Sequence, residues 1–288
     1  MSDHIRKELS MKYGVMIFAT DQAMDPGALA AAAEERGFES FWVPEHVHMP
    51  ADRETQFPRS EDGSLPEQYY RLHDPFVALG AAAGATSEIR LGTSICLVTE
   101  HEPIALAKQV ASLDFISGGR FEFGIGAGWL AEEMEPLGVA FKDRWKVTQQ
   151  RIEAMKVMWT EEIAEYHSEF VDIPRTHVIP KPVQNPHPPI LMGAGSKWAR
   201  QRVVDWCDGW LPNIPAPGFV ERAMQDIKSR AELAGRDFDS ISINVFPAIE
   251  DALPEYERLG VDRVVFGLPH AGADEVVPEL DRLAKLIA

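Results

Sequence analysis

Eight apolar segments of strand length, each coupled to a segment of helical period, predict an α/β chain closed as a parallel (β/α)8 TIM barrel. Length agrees, because 288 residues fall within the range of one such barrel. Glycines sit directly after several strands, where a barrel builds its βα loops. An open, doubly wound sheet uses the same units and is the structural alternative.

The elements follow in order. "YGVMIF" (13–18) is the first strand. "DPGALAAAAEERG" is a helix with Asp25 as N-cap, Pro26 at the first helical position and Gly37 as terminator. "SFWVP" (40–44) is the second strand, and "HDPFVALGAAAGAT" (73–86) a helix capped by Asp74 and opened by Pro75. "IRLGTSICLV" (89–98) is the third strand, and the helix over 102–119 ends in paired glycines. "FEFGIG" (121–126) is the fourth strand. A long helix over 143–162 carries Trp145, Ile152, Met155 and Trp159 near one face. "PILMG" (189–193), "GWLP" (209–212), "SISINVF" (240–246) and "VDRVVFG" (261–267) complete eight strands, with no internal repeat of fixed period. Two stretches break the rhythm and read as insertions. Residues 46–72 are polar and Pro-rich, as expected of a lid or specificity loop. Residues 163–187 suggest a small hairpin around Tyr166–Ile173. Residues 1–10, "MSDHIRKELS", have no apolar run and are expected to form a flexible arm, leaving 11–288 as one barrel domain.

Composition narrows the function. A formal charge of −17 argues against nucleic acid or an anionic membrane as partner, while a local N–H-rich site can still hold a small anion. Two distant cysteines, Cys96 and Cys207, predict a reduced, cytoplasmic protein. His73, His167, His177 and His187 lack metal spacing, so no metal is expected.

A barrel works at the C-terminal ends of its strands. Those ends carry Glu45 and His46 after the second strand, and Ser94, Ile95, Cys96, Glu100 and His101 around the third. "GAGW" (126–129) follows the fourth and "GAGS" (193–196) the fifth. Two glycine pairs suggest backbone that something flat or anionic approaches closely. Neither matches the dinucleotide fingerprint, because Trp129 and Leu130 interrupt it. A histidine here is either a hydrogen-bonded structural residue or an acid–base group titrating near neutrality. Lys108 and Arg120 are expected in structural ion pairs.

The blocks "FWVPEHV" (41–47), "IRLGTSI" (89–95), "AKQVASLDFISGGRFEFGIGAGW" (107–129), "PKPVQNPHPPILMGAGS" (180–196), "DGWLP" (208–212) and "GVDRVVF" (260–266) together resemble the luciferase-like monooxygenase superfamily. The likeness is to the branch of oxidoreductases that use coenzyme F420, a deazaflavin. The resemblance implies a tricyclic ring at the barrel mouth over a bulge with a cis Ser94–Ile95 bond, where the bare residues read as an ordinary trans strand. It implies a cofactor site of Ser94, Ile95, Gly126, Ala127, Gly128, Trp129, Gly193, Ala194, Gly195 and Ser196. The last four would cradle the phosphate at the next helix's first turn, with Lys197 and Arg200 as possible helpers or plain surface residues. It implies His46 as the catalytic acid–base residue with Glu45 beside it, where relatives carry an Asp-His pair. Some relatives that oxidise sugar phosphates have a carboxylate after the fourth-strand G-x-G. Trp129 stands there instead, which counts against that substrate and suggests an apolar wall. The expected reaction is hydride transfer between F420 and a small organic substrate, in a homodimer. The rivals are an FMN-dependent monooxygenase fed with reduced flavin by a partner reductase, and a non-catalytic flavin-binding barrel.

Overall fold

The computed structural model describes residues 11–287, so the expected N-terminal arm lies outside the described residues. The barrel strands are β1 (Lys12–Met16), β2 (Ser40–Val43), β3 (Arg90–Thr93) with β4 (Cys96–Leu97), β5 (Phe121–Gly126), β8 (Ile190–Met192), β9 (Gly209–Trp210), β10 (Ser242–Val245) and β11 (Arg263–Gly267). A short antiparallel hairpin of β6 (Ala164–His167) and β7 (Asp172–Thr176) stands apart from them. All barrel pairings are parallel, and the ring closes through β1 with β11 and β3 with β5. The open-sheet alternative is thereby excluded.

The outer helices are α1 (Pro26–Glu35), α2 (Pro75–Ala85), α3 (Pro103–Ile116), α4 (Ala131–Met134), α5 (Arg144–Thr160), α6 (Lys197–Trp206), α7 (Pro217–Ala234), α8 (Leu253–Leu259) and α9 (Ala273–Ile287). Their starts follow local chemistry. Asp25 Oδ1 accepts from the Ala28 N–H at 2.9 Å, and Asp74 Oδ1 accepts from Phe76 and Val77. In each case proline fills the first helical position, where no N–H is needed.

Side chains alternate across the barrel wall with the period of two that strands impose. Met16, Trp42, Leu191, Leu211, Phe246 and Val265 fill the interior. Val15, Ile17, Phe41, Val43, Val264 and Phe266 face the helices. Trp42 takes space that β3 leaves open, since a Cβ on Gly92 would lie 2.2 Å from its ring.

A buried ion cluster plugs the N-terminal end. Arg263 at the start of β11 donates all five N–H groups: two to Glu39, two to Glu122 and one to Asn244, at 2.7–3.0 Å. Arg90 also donates to Glu122. Arg120 is not in an ion pair as expected. Its guanidinium donates to the carbonyls of Ala83, Thr86, Ile89 and Ser117, tying α2, α3 and β3 together. Lys108 likewise donates to a carbonyl, that of Ile179.

Candidate active site

The third stave is broken. Between β3 and β4 the Ser94–Ile95 bond is cis. The pairing offset to β5 falls from 30 residues at Leu91–Phe121 to 29 at Cys96–Ile125, so one extra residue bulges from this stave. Ser94 stays tied to β2 through its N–H to Val43 O at 2.8 Å. The bulge pushes Ile95 across the mouth. A Cβ on Gly126 would fall 2.1 Å from Ile95 Cδ1, and one on Gly193 would fall 2.4 Å from Ile95 Cγ2. These two glycines therefore make room for Ile95, whereas the sequence suggested an external group approaching them directly. Ile95 remains partly exposed at the barrel's C-terminal face. Beside it, Ala127 is buried and Gly128 turns with φ +72° toward α4.

The turn Gly193–Ser196 leads from β8 into α6. Trp210 Nε1 holds the Ala194 carbonyl at 2.9 Å, and Arg200 holds the Gly195 carbonyl at 2.8 Å. Ser196 Oγ accepts from the Ala199 N–H at 3.1 Å and caps the helix. Among the described residues, no acceptor takes the N–H groups of Ala194, Gly195 or Ser196. Such a turn fits an anion. Arg200 is committed elsewhere, since its Nε donates to Asp226 at 2.5 Å. Lys197 is exposed and lies over the Trp198 ring.

Glu45 and His46 diverge in their partners. Glu45 is buried, accepts the Leu97 N–H at 2.6 Å and meets His101 Nε2 at 2.7 Å. It thus braces β4 against the bulge. For His101, burial works downward, but the hydrogen bond and charge of Glu45 carry the net shift upward. Cys96 places its sulfur within 4.8 Å of the ligand atoms of Glu45 and His101. Burial, then Glu45, pushes that thiol well above its ordinary range.

His46 pairs with a residue the sequence reading passed over. Its Nδ1 lies 2.6 Å from Glu133 Oε2, with side-chain exposures of 7% and 1%. Glu133 Oε1 accepts the Val47 N–H at 3.1 Å. Glu133 stands five residues past Gly128, in α4. Its carboxylate lies four positions beyond Trp129. The adjacent acids in "WLAEEMEP" were the available signal. Burial lowers His46 against the pull of Glu100 and Glu45. Burial also pushes Glu133 up to about 7. The pair thus favours a neutral imidazole, and His46 Nε2 has no partner among the described residues. Glu100, placed just past β4, has both carboxyl oxygens buried, and no N–H or hydroxyl donor among the described residues reaches them. Burial, then the nearby Glu133 charge, pushes it up to about 9.

Aromatic rings surround this cluster. Tyr69 lies 5.4 Å and Trp129 6.2 Å from the His46 ring, and Phe57 packs on both at 5.1 and 5.6 Å. Trp129 packs within this group of rings. The 46–72 segment supplies two of these rings and is tied to the rest of the protein along its length. Glu132 accepts the N–H groups of Glu54 and Thr55 at 2.7 and 2.9 Å, and Arg59 donates to the Asn213 carbonyl at 2.9 Å. A cleft of about 560 Å³ within this segment is lined by Ala51, Arg53, Thr55 and Gly63. It is walled by the loop itself and does not reach His46.

Fold and site together define a (β/α)8-barrel protein with an acid–base cluster at its catalytic face. The description of the luciferase-like monooxygenase family matches residues 11–264, and the chain belongs to that family. An uncharacterised protein of Mycobacterium tuberculosis is 39% identical over 282 residues, 96% of this chain and 99% of that protein. The FMNH2-dependent dimethylsulfone monooxygenase of Pseudomonas putida is 28% identical over 205 residues, 69% of this chain and 55% of that protein. An F420-dependent secondary alcohol dehydrogenase, solved with an F420–acetone adduct, superposes with a TM-score of 0.76 at 15% identity, over 96% of this chain and 98% of that one. No helix among the described residues is long and apolar enough to cross a membrane.

Proposed function

We propose that this chain transfers a hydride between coenzyme F420 and a small organic substrate, with His46 as the acid–base group. The observation that carries the proposal is the buried His46–Glu133 pair beside the bulged third stave. Oxidising an alcohol or reducing a carbonyl moves a proton as well as a hydride. A neutral imidazole with a free Nε2 serves that proton. A deazaflavin held here would supply a ring carbon able to accept or deliver two electrons as hydride. Ser94 and Ile95 would support its ring, with Gly126, Ala127, Gly128 and Trp129 at the edge. The free N–H groups at Ala194, Gly195 and Ser196, next to Gly193, would hold its phosphate at the start of α6. Phe57, Tyr69 and Trp129 exclude water from the reacting groups. Glu45 acts here through β4 and His101, not on the substrate.

FMN as cofactor is the second reading, favoured by the dimethylsulfone monooxygenase among the relatives. A non-catalytic flavin-binding barrel is the third, and the assembled acid–base cluster counts against it. The same reading takes residues 11–288 as one domain of a cytoplasmic homodimer, which light scattering on the purified protein checks. The deciding experiment is an equilibrium titration of the apoprotein with F420 and with FMN. Tight F420 binding supports the proposal; tight FMN binding without F420 binding ends it.

A further inference from the structure

We infer that Glu100 is a proton-bearing positioning residue that steadies Glu133 as an anion and so fixes which nitrogen of His46 carries the proton. The inference rests on the reading of His46 as the acid–base group, but concerns the unliganded protein. Glu100 is 7% exposed, with both oxygens enclosed and no N–H or hydroxyl donor on either, and its one side-chain hydrogen-bond neighbour is the Glu133 carboxyl. The groups facing it are acids and a histidine: Glu133 from α4, and Glu45 and His46 from the end of β2. His101 and Cys96 are its neighbours on its own segment. Arg151, the cation that α5 brings against this turn, donates to the Val98 carbonyl at 2.9 Å. An ionised carboxylate here would have no donor on either oxygen, a strongly unfavourable burial of charge. Glu100 therefore keeps its proton and offers an O–H, and the acceptor it faces is Glu133.

The consequence runs through the pair. With Glu133 ionised, His46 carries its proton on Nδ1 toward Glu133 Oε2, and Nε2 has a free lone pair. When a substrate hydroxyl gives its proton to Nε2, the Nδ1 proton passes to Glu133. One N–H and one O–H bond form, one of each breaks, and the imidazole stays neutral. In the opposite direction the same protons return, and the pair resets by exchanging one proton with solvent. Glu100 holds the ionised member of this cycle in place.

The test uses 15N-histidine NMR of the unliganded full chain at pH 8, between the values to which burial pushes Glu133 and Glu100, and reads the His46 tautomer directly. Wild type and Glu100→Gln, which retains a donor, should both carry the proton on Nδ1. Glu100→Leu removes the donor and should shift the balance toward the Nε2–H form by about tenfold or more, the effect of losing one charge-assisted hydrogen bond. An unchanged tautomer in Glu100→Leu, or the same change in both variants, overturns the inference. Should the variants fail to fold, the wild type is followed by infrared spectroscopy from pH 8, where Glu133 is ionised, to pH 10. Loss of a buried carboxylic-acid band supports the inference, and no such band overturns it. Failure to bind F420 while the tautomer still responds would reject the proposed function and leave this coupling standing.

Discussion

The plug at the N-terminal end of the barrel gives a prediction with a calculable size. Glu122 is buried and held by Arg263 through two hydrogen bonds of 2.8 and 2.9 Å, with Arg90 beside it. Burial works upward on its carboxyl, but the two guanidinium groups win and hold it at about 2, against an ordinary 4.5. Such a fall corresponds to about 3 kcal/mol of folded-state preference for the ion. Because the folded carboxyl titrates below the unfolded one, the unfolded chain binds the extra proton between pH 4.5 and 2. The contribution is complete above pH 4.5 and drains away as the pH drops through that window. Glu122→Gln should thus lower stability at pH 7 by about 3 kcal/mol, or about 5 °C in Tm for a chain of this length. At pH 3 the gap between variant and wild type should have narrowed by about 2 kcal/mol. Urea unfolding at both pH values, followed by circular dichroism, measures it. A gap of equal size at pH 7 and pH 3 would refute the electrostatic origin, and no gap at pH 7 would refute the cluster's role.

Further outcomes follow from the site. His46→Ala should cut kcat by about 100-fold or more, the usual contribution of a general acid–base group, while leaving the cofactor Kd within about twofold; a parallel loss of both would make His46 a binding residue. Gly193→Ala should weaken cofactor binding, because its Cβ would fall 2.4 Å from Ile95 Cγ2 and 3.0 Å from the Ile125 carbonyl; fluorescence titration reads the change, and unaltered affinity argues against ring support by Ile95. Glu132→Ala releases the N–H groups of Glu54 and Thr55, so limited proteolysis within residues 46–72 should accelerate with the core fragments intact. Gly124→Ala should be poorly tolerated, since its Cβ would sit 1.9 Å from the Thr93 carbonyl oxygen, which belongs to the neighbouring strand's backbone.

What the sequence determined by itself is the barrel and its family. Strand alternation, Asp-Pro helix starts at 25–26 and 74–75, and glycines at strand ends are local signals, because each depends on dihedral preference or on residues within one turn. They place Glu45, His46, Ile95 and the Gly193–Ser196 turn at the catalytic face as soon as the barrel closes. Tertiary structure alone decided who touches whom there. His46 meets Glu133 across 87 positions, Glu45 meets His101 across 56, and Arg263 meets Glu122 across 141. Neighbours in sequence, Glu45 and His46 have separate partners, since successive residues leaving a strand project to opposite sides. The upward pull on the Glu100 and Glu133 carboxyls is likewise a property of enclosure, which is set by how loops from several strands pack over one mouth. Periodicity in a chain carries no record of that.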